Sequence, residues 1–189
     1  NRENKISKLS NRKIIFVSRL EIEQKGLDYL IKIGKSLKDD WKIFIAGEGK
    51  DKKKLMKMIK MNNLQEKIIL CGALKSEELE ELYTSGSLFI STSRWEGFGL
   101  VITEAMLFGL PIISFNNRGP NEILKNGNYG ILIEKNNIND FIKMVNNLIE
   151  SPEKMQFYQK RSLERVMDFK KEIIIKKWEY NFKKLMDSD

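Results

Sequence analysis

The chain has 189 residues, a formal net charge of +8, one cysteine, three prolines and no histidine, and 41% of its residues are hydrophobic. A folded chain of this size buries roughly two thirds of the surface its unfolded form exposes, so one domain core forms without a structural metal; the lone Cys71 allows neither an internal bridge nor a cysteine-cluster zinc site. Without histidine, this chain by itself cannot build a Ser-His-Asp triad, a Cys-His pair, an HExxH site or a facial metal triad, and its chemistry rests on carboxylates, lysines, arginines and backbone amides.

Residues 1–13 are polar and lack apolar periodicity, which reads as a linker from a missing N-terminal domain. From Ile14 to 168 the pattern predicts one α/β domain. Short apolar runs follow one another at Ile14–Val17, Trp41–Ala46, Ile68–Cys71, Leu88–Ile90, Pro111–Ile113 and Gly130–Ile133, apolar on both faces as buried parallel strands require. Helix-period segments alternate with them at Gly26–Lys38, Asp51–Met61, Ser76–Ser85, Leu100–Phe108, a short turn at Asn121–Leu124, and Ile138–Glu150. Ser76 before Glu77 and Glu78 reads as an N-cap, and Ser151-Pro152 as a second helix start. Six βα repeats predict a Rossmann-like, doubly wound, parallel six-stranded sheet with helices on both faces. The tail, 169–189, continues as a helix whose Ile173, Ile174, Trp178, Phe182 and Leu185 exceed what a free helix exposes. It is expected to dock on this domain or, more in keeping with a two-domain protein, on the missing one.

In such sheets ligands bind beyond the carboxyl ends of the strands. The loop after the fourth strand reads Ser91-Thr92-Ser93-Arg94-Trp95-Glu96-Gly97-Phe98-Gly99-Leu100-Val101-Ile102-Thr103-Glu104. Its glycines let a backbone approach a ligand, and a helix starting at Leu100 aims free amides into the crevice, an arrangement suited to phosphate. Glu96 and Glu104 would repel a phosphate they touched, so their partners are hydroxyls, which gives a phosphate flanked by two sugars. Arg19 and Lys25, after the first strand, supply charge for a diphosphate. Gly72, Ala73 and Leu74, after the third, can meet the edge and face of a base.

The spacing Glu96-x7-Glu104 within EGFGLVITEAM, with SRLEIEQKG, IAGEGK, ILCGAL and GPNEIL in order, resembles the C-terminal, donor-binding domain of family 4 retaining glycosyltransferases of the GT-B fold, over Ile14 to Met186. The resemblance implies that Arg19 and Lys25 contact the donor diphosphate, with Gly99, Leu100 and Val101 amides holding a phosphate. It implies that Glu96, Phe98 and Gly99 meet the transferred sugar, Glu104 the ribose, and Gly72, Ala73 and Leu74 the base. Glu96, Arg19 and Lys25 are then the catalytic groups. Ser18 replaces the usual glycine before the arginine, and Gly119-Pro120-Asn121-Glu122 replaces a commoner double-glycine form. The activity implied by the resemblance is transfer of a hexose or N-acetylhexosamine from a UDP-sugar, or a GDP-sugar, to a glycan or lipid-linked acceptor held by the missing domain, with no metal and no cofactor.

Competing readings are a nucleotide-sugar epimerase, a dinucleotide oxidoreductase and a nucleic-acid-binding module. The oxidoreductase wants G-x-G-x-x-G after the first strand, where Ser18-Arg19-Leu20 stands. The nucleic-acid reading draws on residues 1–60, which carry 17 Lys+Arg against 8 Asp+Glu, yet no nucleic-acid motif accompanies them. The Lys50–Lys60 run is expected to be a solvated helix face. No apolar run approaches the ~20 residues of a membrane span, and the expected location is cytoplasmic, with peripheral contact to the inner membrane surface if the acceptor is lipid-linked.

Overall fold

The structure is a computed structural model that describes residues 6–38 and 40–186, without the side chains of Lys177 and of 184–186, so Leu185 lies outside the described side chains. Six strands, β1 (Lys13–Val17), β2 (Lys42–Ala46), β3 (Ile68–Gly72), β4 (Leu88–Ser91), β5 (Ile112–Phe115) and β6 (Ile131–Ile133), form one sheet in the order β3-β2-β1-β4-β5-β6. Every pairing is parallel. This is the doubly wound sheet that the βα rhythm predicts. The chain reverses direction of travel across the sheet between β1 and β4, so the loops after these two strands face each other over the switch-point crevice where such sheets bind ligands.

Alternation along the strands sorts the core into two layers. Ile14, Phe16, Ile43, Ile45, Leu88, Ile90, Ile113 and Phe115 point to one face, where α2 (Leu27–Ser36), α3 (Lys52–Met61) and α7 (Ile138–Ile149) cover them with Leu30, Ile33, Leu55, Ile59, Phe141 and Val145. Ile15, Ala46, Phe89 and Ile112 point to the other, under α4 (Ser76–Ser85), α5 (Leu100–Leu107) and α6 (Arg118–Leu124). The lysine-rich α3 sends Leu55 and Ile59 inward and leaves most of its lysines solvated, as its sequence suggests.

Several boundaries differ from the sequence reading for local reasons. A four-residue helix, α1 (Ile22–Lys25), precedes α2, too short to show a period. Ser76 is the first residue of α4 and not its cap; the Lys75 amide donates to Glu78 Oε2 at 2.8 Å in the capping role. The turn expected at Asn121–Leu124 begins three residues earlier as α6. Ser151 does cap α8 (Pro152–Val166), accepting from the Lys154 amide.

From residue 6 onward, the stretch read as a linker is packed on the domain. The Ser7 amide donates to the Phe108 carbonyl at 2.9 Å, the Ser7 carbonyl accepts from Gln159 at 2.7 Å, and the Ser7 hydroxyl donates to the Gly86 carbonyl. At the other end, a 3₁₀ turn at Met167–Phe169 leads into α9 (Lys171–Met186), whose Ile175, Trp178, Tyr180 and Phe182 are 44–68% exposed. None of the described side chains packed on either core layer comes from α9, whose first residues, Lys171 and Glu172, line a cavity beside Glu104. No described helix is long and apolar enough to cross a membrane.

Candidate functional site

The loop after β1 is fastened from below by the loop after β2. The Leu20 amide donates to the Glu48 carbonyl at 2.9 Å, the Asp51 amide to the Leu20 carbonyl at 3.1 Å, and the Ile22 amide, which starts α1, to Asp51 Oδ2 at 2.8 Å. Asp51 thus serves the neighbouring helix and not the α3 it precedes. The two cations that this loop carries differ sharply. Arg19 is solvated, its side chain 69% exposed, with Glu21 at 3.2 Å and Gln24 at 3.4 Å. Lys25 ends α1 and is buried, and its Nζ lies 2.6 Å from Glu96 Oε2.

Glu96 reaches Lys25 because the loop after β4 is folded inward. Thr92 and Ser93 are buried, the Ser93 carbonyl accepts from Asn117 Nδ2 at 2.6 Å, and the Ser93 hydroxyl lies 3.4 Å from the same Glu96 oxygen that meets Lys25. An ammonium has three donors. One is spent on Glu96, which leaves two for an incoming anion, while the second Glu96 oxygen remains an acceptor for a hydroxyl. Lys25 and Glu96 therefore form one unit, whereas their sequence positions suggested separate duties.

Gly99 adopts a left-handed conformation, φ 95°, and caps α5, whose first amides are those of Leu100 and Val101. First-turn amides have no intrahelical acceptor and favour negative charge. Leu100 is 65% exposed and Phe98 38% exposed, with the Phe98 ring edge-on to Phe169 at 6.1 Å. One turn further, Glu104 Oε2 accepts from the Tyr83 hydroxyl at 3.0 Å. Burial and, after it, the Glu104 charge push the Tyr83 hydroxyl well above the usual phenol range, so it stays a donor. A cavity of about 640 Å³ opens beside Glu104, walled by Thr103, Leu107, Val166 and Phe169 with Lys170, Lys171 and Glu172; neither Lys25 nor Glu96 lines it.

Tyr83→Phe removes that hydrogen bond but keeps the ring stacked on Phe108 at 5.4 Å. Because Glu104 is solvent-exposed, it regains water on losing this partner, and the expected loss of stability is only about 1 kcal/mol, read from urea denaturation midpoints.

The remaining expected site residues lie at the end of β3. Gly72 has φ 74° and its carbonyl accepts from the Gly47 amide at 2.7 Å, which joins this strand end to the loop after β2. Ala73 is exposed, whereas Leu74 is half-buried against the layer of α4 and α5, which leaves only part of it free to face a ligand.

The sequence of residues 1–165 matches the family described as Glycosyl transferases group 1. The chain belongs to this family. An uncharacterized glycosyltransferase of Haemophilus influenzae is 33% identical over 93% of the chain and 50% of its own length, and the amylovoran biosynthesis glycosyltransferase AmsD of Erwinia amylovora is 32% identical over 88% and 46%. Among solved structures, a TarM variant from S. aureus in complex with fondaparinux, alpha-GlcNAc-glycerol and UDP superposes with a TM-score of 0.81 at 28% identity, over 89% of this chain and 34% of that one. The fold is that of the GT-B glycosyltransferases. The chain spans about half the length of the curated relatives it matches.

In this group 1 glycosyltransferase domain the crevice also depends on residues that the sequence did not flag. Asn117 precedes α6 yet turns away from it to hold the Ser93 carbonyl, and Arg94 and Thr92 bind the backbone of α1. Each bridges two loops that are far apart in sequence. The one visible signal was that polar residues clustered at strand ends.

Proposed function

We propose that this domain is the nucleotide-sugar-binding half of a retaining glycosyltransferase that uses a UDP-sugar and transfers a hexose or N-acetylhexosamine to a glycan or lipid-linked acceptor. The observation that carries the reading is the meeting, at the switch point between β1 and β4, of Arg19 and the Lys25–Glu96 pair with the amide-bearing start of α5. As the bond between the anomeric carbon and the β-phosphate oxygen lengthens, the diphosphate gains negative charge. Arg19, the two free Lys25 donors and the Leu100 and Val101 amides stabilise that charge electrostatically, without a metal. Glu96 and the backbone at Phe98 and Gly99 hold the sugar, Glu104 the ribose, and the Gly72-Ala73-Leu74 stretch the base.

UDP is favoured because the structurally similar TarM holds it. A glycan acceptor accords with the amylovoran biosynthesis relative. The exposed apolar face of α9 packs against the other half of the enzyme, which supplies the acceptor site, and a lipid-linked acceptor would bring the enzyme to a membrane surface. Nucleic acid is not the expected partner, because no nucleic-acid-binding motif accompanies the basic residues of 1–60.

Glu104→Gln tests the ribose assignment. Loss of a charged acceptor lowers UDP affinity by roughly 10-fold and leaves the affinity for a UDP analogue lacking both ribose hydroxyls unchanged. Equal losses for both ligands, or none for UDP, would refute the assignment. Calorimetry reads both.

A further inference from the structure

The loops after β1 and β4 do more than approach each other. All the carbonyls of α1 and its cap, from Ile22 to Gly26, turn toward the β4 loop. The Arg94 guanidinium donates to the Ile22 and Glu23 carbonyls at 3.3 and 3.0 Å, and the Arg94 amide to the Gln24 carbonyl at 2.9 Å. The buried Thr92 hydroxyl lies 2.9 Å from the Lys25 carbonyl and 3.1 Å from that of Gly26. Backbone amides reach only the Ile22 and Gly26 carbonyls, from Gly26 and Tyr29, and a helix of one turn has no amides for those between, so α1 is held in this orientation where the β4 loop receives the carbonyls of Glu23, Gln24 and Lys25.

The guanidinium is in turn held on three sides. Asp28 grips it through both oxygens, at 2.9 and 2.7 Å, and its flat face lies 4.2 Å from the centre of the Tyr29 ring. A two-pronged carboxylate contact and a stacked ring together fix both the plane and the in-plane direction of an arginine. Two residues before Lys25 and two residues before Glu96, the chain is therefore set by the same side chain, Arg94.

We propose that Arg94, oriented by Asp28, is a positioning residue that sets Lys25 in register with Glu96 and so tunes the diphosphate subsite without touching the ligand. The inference rests on the proposed role of Lys25 in facing the diphosphate. It implies a selective defect: groups that bind the nucleoside lie at β3 and α5, beyond the reach of the clamp.

Calorimetry with UDP and ligand-observed NMR with uridine test it on the wild-type protein, Arg94→Ala, Arg94→Lys, Asp28→Asn, Lys25→Met and the R94A/K25M combination. Arg94→Ala and Asp28→Asn are expected to weaken UDP by about tenfold and to leave uridine unchanged, with Arg94→Lys intermediate because a lysine makes a point contact in place of the fork. In the Lys25→Met background, Arg94→Ala is expected to cost no further UDP affinity. Parallel loss of UDP and uridine, or the same additional loss without Lys25, would show a merely structural residue and overturn the proposal. Should Arg94→Ala not fold, the milder Arg94→Lys and Asp28→Asn decide by the same comparison. Wild-type UDP affinity in Lys25→Met would instead overturn the diphosphate reading itself, and this proposal with it.

Discussion

Lys25→Met is expected to reduce the affinity for UDP by roughly 100-fold, and the size of that effect follows from what the ammonium leaves behind. Lys25 and Glu96 are 2.6 Å apart, with side chains 11% and 16% exposed. Truncating one member of such a pair removes an attraction for phosphate and also leaves a carboxylate largely stripped of water and unpaired, facing the incoming anion. Breaking a fully buried pair costs about 3–5 kcal/mol; this pair borders an open crevice, so a loss of about 2 kcal/mol in folding stability is expected alongside the binding defect. The two consequences separate in the K25M/E96Q combination, where the neutral amide no longer needs a cation. Stability returns most of the way to wild type, while UDP affinity stays low because no cation has been restored. Urea denaturation and calorimetry on the three proteins measure the two effects side by side. Recovery of binding along with stability would mean that Lys25 serves the fold alone.

Gly119→Ala is the second substitution with a large expected effect, and it acts through backbone contact. A Cβ on Gly119 would lie 2.2 Å from the Phe98 carbonyl oxygen and 2.4 Å from that of Gly97, with no flexible side chain to give way. The start of α6 thus fits directly under the loop that carries Phe98 and Gly99. One of the two must shift. The loop has the freedom, since nothing lies within 4 Å of where a Cβ on Gly97 would be. A displacement near 1 Å at a ligand-positioning loop costs on the order of 100-fold in function, whereas overpacking that can relax toward solvent costs about 1–2 kcal/mol in stability. The expected outcome is a folded protein with a urea midpoint only modestly lowered and UDP affinity greatly reduced. A protein with wild-type affinity and a large stability loss would place the strain in α6 and its packing.

These two positions also show what the sequence makes legible. The βα rhythm locates all six strands to within two residues, because a buried parallel strand must be apolar on both faces and the intervening helices must not be. Strand ends follow from it, and with them the loops that carry Arg19 and Glu96 and lead into the helices of Lys25 and Glu104. The pairing of Lys25 with Glu96 is not legible. They are separated by 71 positions, and only the strand order, with β4 beside β1, brings their loops together. The same holds for Arg94 with Asp28 and for Asn117 with Ser93, whose side chains bind groups on another loop. Helix α1 is hidden for a different reason: at four residues it has no apolar period, and its carbonyls are satisfied by Thr92 and Arg94. Helix α9 carries an apolar pattern of which Ile175, Trp178, Tyr180 and Phe182 stay exposed, and the pattern does not name a surface that covers them.

The crevice between the β1 and β4 loops is expected to bind a nucleoside diphosphate by means of side chains and helix amides. Calorimetric titration of the protein with UDP in the presence of EDTA tests it most directly. Saturable one-to-one binding, undiminished by the chelator and weakened roughly 100-fold by Lys25→Met, is the predicted result. Absence of binding by UDP and by GDP at millimolar concentration, or UDP binding that survives Lys25→Met unchanged, would contradict it.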